Sequence, residues 1–369
     1  NGSWGAQTVT FTGVGNSIQD GNAIVDVMLS VTGSDWRYTE QVGNQSVRVT
    51  VIDDDIAEVT VTESSSSTSV TEAGSTDTID VVLNSQPTSN VGLSVTASDT
   101  SEATVSTNSL TFTTSNWNTP QTVTVTGQND LIQDGDLNST ITFAVNPGLT
   151  ADANYLAATN KTVTVSTTDN DVAGFTITQS SGSTGVTEMG GTDTVTVVLT
   201  SEPTSNILID IASTDASEVS VSPTQITFSS GNWTTAQTIT FTGLDDRIDD
   251  GNVSTTINVE PNSSTSDAIY RALARQTFAV SNTDNDSSGI TTFQTNGTTI
   301  VSETGTVDIV GVKLDSEPTG NVVLNLSISD TTEATFATAF NDTTGAVTAT
   351  SNSLTLTYTP STWETSQQV

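Results

Sequence analysis

The chain contains no cysteine and no histidine in 369 residues, and only 7 lysines and arginines stand against 42 aspartates and glutamates. Without cysteine there are no disulfides and no thiolate zinc sites. Without histidine no triad with an imidazole base can be built. A formal charge of −35 with no basic stretch offers nucleic acid no phosphate-binding footprint. No apolar run approaches the roughly 18–20 residues needed to span a bilayer, and neither end reads as a signal peptide.

What is present points to a folded all-β chain. Charged residues are only 13% and hydrophobic ones 33%, so this acidity is not the signature of disorder. Ser, Thr and Asn supply most of the polarity. Thr and Val alternate in Val123-Thr124-Val125-Thr126 and Val163-Thr164-Val165, and a period of two sends one set of side chains to a buried face and the other to water. No segment carries a helical period.

The sequence also repeats itself. Val70-Thr71-Glu72-Ala73-Gly74 returns as Val186-Thr187-Glu188-Met189-Gly190 at a spacing of 116, and Ser302-Glu303-Thr304-Gly305 follows 115 later. Ser98-Asp99, Thr214-Asp215 and Ser329-Asp330 keep these spacings, as do Asp53-Asp54-Asp55, Asp169-Asn170-Asp171 and Asp284-Asn285-Asp286. Gln133-Asp134-Gly135-Asp136 matches Asp249-Asp250-Gly251-Asn252 and Gln19-Asp20-Gly21-Asn22. A period near 115 is the size of a β-sandwich, too long for a solenoid turn. The expected organisation is the C-terminal part of a repeat at 1–55, complete repeats at 56–171 and 172–286, and the N-terminal part of a repeat at 287–369. Val9 and Val369 both align with Val123. Two explanations stand: a window on a longer tandem array, or a subunit whose last partial repeat completes the first partial repeat of the next chain in a head-to-tail filament.

Seven strands are expected in the first complete repeat: a broken first strand at 57–62 and 68–71, then 77–84, 91–98, 108–114, 121–127, 138–145 and 161–167. Gln86-Pro87-Thr88-Ser89-Asn90, Asn116-Trp117-Asn118-Thr119-Pro120 and Gly135 mark turns between them. Trp4, Trp117, Trp233 and Trp363 recur in one turn, either as a cap on the core or as ligand-stacking surfaces. If successive strands alternate in direction, the odd-numbered strands all end at one pole. That pole collects the recurring acids Glu72, Asp99, Asp130, Asp134, Asp136, Asp169 and Asp171. Converging carboxylates repel, and a hard cation removes the repulsion. Ca²⁺ takes about 6–8 oxygen ligands, whereas Mg²⁺ demands strict octahedral geometry. The competing reading is a set of solvated acidic loops that aid solubility.

The order of these elements resembles the Calx-β domain of sodium–calcium exchangers and many bacterial surface proteins. The resemblance is carried by Val70–Gly74, Ser98-Asp99, Leu110-Thr111-Phe112 leading into Thr122-Val123-Thr124-Val125, the acidic loop after it, and Asp169-Asn170-Asp171. It implies tandem seven-stranded antiparallel, Ig-like β-sandwiches in a linear array, with Ca²⁺ at the pole described above. By position it implies ligands Glu72, Asp99, Asp130, Asp134, Asp136, Asp169 and Asp171 in one repeat and Glu188, Asp215, Asp246, Asp250, Asn252, Asp284 and Asp286 in the next. Asn252 replaces an acid, so the second site is expected to be one charge weaker. The first partial repeat offers Asp20, Asp53, Asp54 and Asp55, with Asn16 and Asn22 in place of acids; the last offers Glu303 and Asp330 and carries extra sequence around Phe340–Ser351.

No linker separates the repeats: Asp171 runs directly into Val172-Ala173-Gly174-Phe175. The acids then lie at the seams, where Ca²⁺ would restrict hinge motion. The resemblance implies a calcium-binding extender segment of a bacterial cell-surface or secreted adhesin or extracellular fibre; composition only permits that setting. The alternatives are a carbohydrate- or surface-binding module, or a self-polymerising subunit. The Tyr155 and Tyr270 loops are the candidate glycan surfaces, although matched tyrosines favour packing. No enzyme is expected. A pair such as Asp134 and Asp136 could be taken for a glycosidase dyad, but the acids repeat wherever that loop occurs. Intramolecular isopeptide bonds are not expected either, because Lys161 and Lys313 stand at unmatched positions.

Overall fold

The computed structural model describes residues 5–341 and 346–369; Trp4 lies outside them. The chain divides into two compact units, Asn1–Asp171 and Val172–Val369.

In the first unit the complete repeat has nine strands: β1 Val59–Glu63, β2 Thr68–Thr71, β3 Thr76–Leu83, β4 Val91–Ala97, β5 Ala103–Val105, β6 Ser109–Phe112, β7 Gln121–Gly127, β8 Leu137–Val145 and β9 Lys161–Thr168. One sheet has the order β1-β3-β7-β5 and the other β2-β9-β8-β4-β6. All pairs are antiparallel except β2 with β9, which run parallel, Val165 opposite Thr68. The broken first strand therefore serves both sheets. At the crossing the Asp77 carboxylate accepts from Ser64 Oγ at 2.5 Å and from the Ser69 main-chain N–H at 3.0 Å, stapling the two pieces. The short β5 was not expected from the sequence. Three residues are too few to show a period, and only pairing to β7 makes them a strand.

Alternation places the core. In β7, Val123 and Val125 are buried while Thr122 and Thr124 are not. They meet Ile79 and Val81 from one sheet, and Leu93, Phe112, Ile141, Phe143 and Val165 from the other. Each such side chain contributes about 1.5–3 kcal/mol on burial. The second unit repeats the plan with β10 Phe175–Gln179, β11 Thr184–Thr187, β12 Thr192–Leu199, β13 Ile207–Ser213, β14 Val219–Ser222, β15 Gln225–Phe228, β16 Gln237–Gly243, β17 Val253–Pro261 and β18 Gln276–Thr283. Its sheets are β10-β12-β16-β14 and β11-β18-β17-β13-β15.

Both recurring tyrosines are buried. The Tyr155 hydroxyl donates to Ser85 O at 2.5 Å and accepts from Ser85 N–H at 3.2 Å; Tyr270 does the same with Ser201 at 2.6 and 3.2 Å. Neither ring offers a face to solvent. Tyr155→Phe leaves the Ser85 main-chain groups unsatisfied and should cost about 1–3 kcal/mol, read as an earlier denaturation midpoint of the first complete repeat. Trp117, Trp233 and Trp363 pack partly buried against their cores, which makes them caps.

The partial repeats are simpler. In the first, strands Ala23–Leu29 and Gln45–Val51 form a hairpin with a short helix, Trp36–Thr39, between them. In the last, Ile290–Gln294, Val310–Leu314 and Gln367–Gln368 form one sheet, and Val322–Ser327 pairs with Ser353–Tyr358. The extra sequence there folds as a bulged hairpin of Phe336–Asn341 and Ala346–Ser351. Among the described residues no helix is long and apolar enough to cross a membrane.

Candidate metal centre

The parallel pairing of β2 with β9 brings Glu72, which follows β2, beside Asp169 and Asp171, which follow β9. The Glu72 N–H donates to Thr168 O at 3.1 Å, and its carboxylate accepts from Asn170 N–H at 3.2 Å. The end of β7 closes on the same spot: a side chain at Gly127 would lie 2.1 Å from Thr71 O, so only glycine fits. Two groups of carboxylate oxygens result, each within 4.8 Å of one another: Glu72, Glu102 and Asp130, and Glu72, Asp169 and Asp171. Glu72 belongs to both. The second repeat gathers Glu188, Asp245 and Asp286, and Glu218, Asp246 and Asp250.

These carboxylates are poorly hydrated and like-charged. Glu72 and Glu188 are 2% exposed, Glu102 5% and Glu218 8%. Burial pushes the Glu72 carboxyl above its ordinary value; the Asn170 N–H opposes this, and Asp130, Asp169 and Asp134 add to the rise. Burial, then Asp134, Glu72, Asp130 and Asp99, raise Glu102. Asp134 is raised by burial, Asp130 and Asp169, and Asp171 by burial, Asp169 and Asp130. One Asp171 oxygen, Oδ2, is buried with no hydrogen-bond partner. Glu188, Asp250 and Asp286 are raised too, burial first, with the Asn285 N–H opposing the rise at Glu188 and Arg247 opposing it at Asp286.

Asp152 and Asp267 show that buried acids can be satisfied by protein alone. Burial raises Asp152, but the N–H and hydroxyl of Thr88 and the N–H groups of Asn154 and Tyr155 outweigh it and hold the carboxyl low. Asp267 is held low by equivalent donors. The acids of this pole face neighbouring carboxylates and fewer donors than Asp152 does, an arrangement that could hold a cation.

The remaining candidates divide by what they do. Asp169 accepts from Gly135 N–H at 2.8 Å and Asp171 N–H at 2.7 Å. Asp284 does so from Gly251 and Asp286, both at 2.7 Å, and Asp53 from Gly21 at 2.6 Å and Asp55 at 3.0 Å. The three glycines have φ of +82°, +77° and +82°, a left-handed conformation that turns the N–H toward the acid. Asp136 accepts from Asp169 N–H at 3.1 Å, Asn252 from Asp284 N–H at 3.1 Å and Asn22 from Asp53 N–H at 2.9 Å. Asn makes this loop brace as well as Asp, and neither Asp136 nor Asn252 joins the carboxylate groups. Asp99, Asp215 and Asp330 also stay out of them. Each closes a turn by accepting from the N–H and hydroxyl two residues on, at Ser101, Ser217 and Thr332, and these bonds hold the acids low.

Conversely, Glu102, Glu218 and Asp245 were missed in the sequence. The signal was there: Ser101-Glu102 recurs as Ser217-Glu218 and Thr332-Glu333 at the same spacings. Around Asp20, Asp53, Asp54 and Asp55, and around Glu303 and Asp330, no group of three carboxylates forms among the described residues. Asp55 is nevertheless raised, by burial and then Asp54, Asp53 and Asp20.

The loop that carries the acids also touches the next repeat. In the first unit Ser17 O accepts from Gln86 N–H at 2.6 Å, and the Gln19 side chain accepts from Ala57 N–H at 2.6 Å. In the second unit Arg247 O accepts from Glu317 N–H, and the Asp249 carboxylate from Ser288 N–H, both at 2.6 Å. Arg247 also pairs with Glu364 at 3.0 Å. Arg247 and Asp249 lie between Asp246 and Asp250, so one short loop contributes both to a carboxylate group and to contacts with the residues that follow.

No family model and no curated protein matches this chain. Among solved structures, the calcium binding domain CBD12 of CALX1.1 is similar with a TM-score of 0.26 and 13% identity, covering 55% of this chain and 81% of that one. The apo-form Calx CBD1 domain has a TM-score of 0.23 and 16% identity, covering 30% of this chain and 98% of that one. Domains 4–9 of the surface layer protein SbsC have a TM-score of 0.24 and 20% identity; the match covers 73% of this chain and 36% of that structure.

Proposed function

We propose that this chain is a calcium-binding structural segment of a bacterial surface or secreted protein, built as a linear array of Calx-β-like sandwiches whose seams Ca²⁺ stiffens. The observation that carries the reading is the pair of acid groups at one pole of each complete repeat. Their glutamates are buried among like charges, and in the second complete repeat Asp246 and Asp250 lie on the loop whose Arg247 and Asp249 contact the residues that follow. An oxygen-only donor set without histidine or cysteine suits a hard cation. Glu72, Glu102, Asp130, Asp169 and Asp171 would hold it in the first complete repeat, and Glu188, Glu218, Asp245, Asp246, Asp250 and Asp286 in the second. The ion would supply the missing positive charge and lock the loop of Arg247 and Asp249 against the repeat that follows. The surface setting rests on the resemblance in the sequence. The role is mechanical: the acids recur in both complete repeats, which suits a structural ion rather than a single catalytic centre.

Calorimetric titration of metal-free protein with Ca²⁺ should show saturable binding. Small-angle scattering should show a more flexible particle after chelation. An unchanged profile together with no heat of binding would refute the reading.

A further inference from the structure

The acidic poles of the two complete repeats are not copies of each other, and one residue separates them. Glu102 and Glu218 stand at equivalent positions and are both buried. On the Glu102 carboxylate only burial and like charge act, with no hydrogen bond to it among the described residues. One of its oxygens joins Glu72 and Asp130, so it is a buried, unpartnered polar group aimed into the pole. In the second repeat Glu218 Oε2 accepts from Asn282 Nδ2 at 3.1 Å. There Glu218 groups with Asp246 and Asp250 and not with Glu188.

Asn282 stands opposite Val253 in β18 as Thr167 stands opposite Leu137 in β9, so the two residues share a position. The Thr167 hydroxyl donates to the Glu102 main-chain oxygen at 3.4 Å and leaves the carboxylate alone. Asn282, 1% exposed, reaches further: its Nδ2 also donates to Glu218 O at 3.2 Å and Leu244 O at 3.1 Å. Its Oδ1 is buried with no partner. An orphaned buried oxygen is costly, and what the side chain gains in exchange is its anchor on Glu218.

We propose, resting on the calcium reading above, that Asn282 is a positioning residue that holds Glu218 apart from Glu188, so that the second complete repeat binds Ca²⁺ more weakly than the first and fills after it. A buried carboxylate with no hydrogen bond gains all its stabilisation from the ion, whereas one already bonded to an amide gains less. Glu72 also serves both groups of its repeat, whereas the second repeat divides its acids between two separate groups. Asn252 is not the cause, because it only braces the loop.

Calorimetric titration of the full metal-free chain with Ca²⁺ should resolve two classes of site at least about tenfold apart, the worth of one hydrogen bond to a charged group. Glu72→Gln should remove the tighter class and Glu188→Gln weaken the looser one. Asn282→Thr should tighten the looser class by about threefold or more, and Thr167→Asn should loosen the tighter class by a similar factor at an unchanged Tm in chelator. A packing defect does not raise affinity, so the first result separates positioning from mere structure. The gap should close only in part, since Arg247, where the first repeat has Leu131, still offsets charge at Asp286. Binding heat with a single class of equal sites, or a looser class that Asn282→Thr leaves unchanged or weakens, would overturn the proposal and leave the calcium reading standing. If Asn282→Thr fails to fold, an unchanged tighter class in Thr167→Asn overturns it instead. No heat of binding at all would remove the calcium reading and this proposal together.

Discussion

Replacing Glu72 with Gln should move thermal stability in opposite directions with and without calcium. In chelator the variant melts higher than the parent, because a buried carboxylate repelled by Asp130, Asp169 and Asp134 has become neutral. In calcium it melts lower, because the residue belongs to both carboxylate groups of its repeat. A thousandfold excess of calcium over Kd is worth about 4 kcal/mol per site. At roughly 4 °C per kcal/mol for a domain near this size, filling one site should raise the parent Tm by about 16 °C. Glu72→Gln should remove most of that increment in the first complete repeat. Glu188→Gln should remove less in the second, since Glu188 belongs to only one group there. Differential scanning calorimetry in chelator and in calcium reads all six values. Equal destabilisation of Glu72→Gln in both buffers would mean that the side chain is merely packed and holds no ion.

The metal-free protein should gain stability on mild acidification. Glu72, Glu102, Asp134 and Asp171 have folded-state values above their ordinary 4.5 and 3.8. Between the raised and the ordinary value the folded state binds more protons than the unfolded one, so stability rises as pH falls. The gain begins as pH drops from neutral through the raised values and is complete at the ordinary carboxylate range. Below that range the opposite class takes over. Asp77, Asp152, Asp193 and Asp267 are held low by hydrogen bonds, and their contribution is lost as they protonate. A Tm maximum on the acid side of neutrality is expected in chelator. With calcium the slope reverses, because protons compete with the ion for the same oxygens. Scanning calorimetry across pH in both buffers checks the pair of slopes, and parallel slopes would remove the electrostatic account of the pole.

Much of this molecule was legible in its residues. The alternation at Val123–Thr126 and Val163–Val165 dictates strands with one buried face, because a two-residue period admits no other regular backbone. The turn residues around Pro87, Trp117 and Gly135 separate those strands, and the spacing of the acids reveals the period. The direction argument led to the pole where Glu72, Asp130, Asp169 and Asp171 gather. The donor set was less legible, since a charge in the sequence does not say what its oxygen will meet. Asp99 and Asp136 look like ligands but are turned toward main-chain N–H groups, and Asn252 and Asn22 perform the job of Asp136 equally. Glu102 looks like one more surface acid, yet the turn before β5 buries it against Glu72.

The sequence by itself determined the fold class, the repeat and the pole, because each follows from local periodicity and strand direction. Only the tertiary structure decided which acids are satisfied by the backbone and which are left facing one another. That outcome depends on where distant main-chain donors and close approaches, such as Thr71 against Gly127, fall once two sheets have packed.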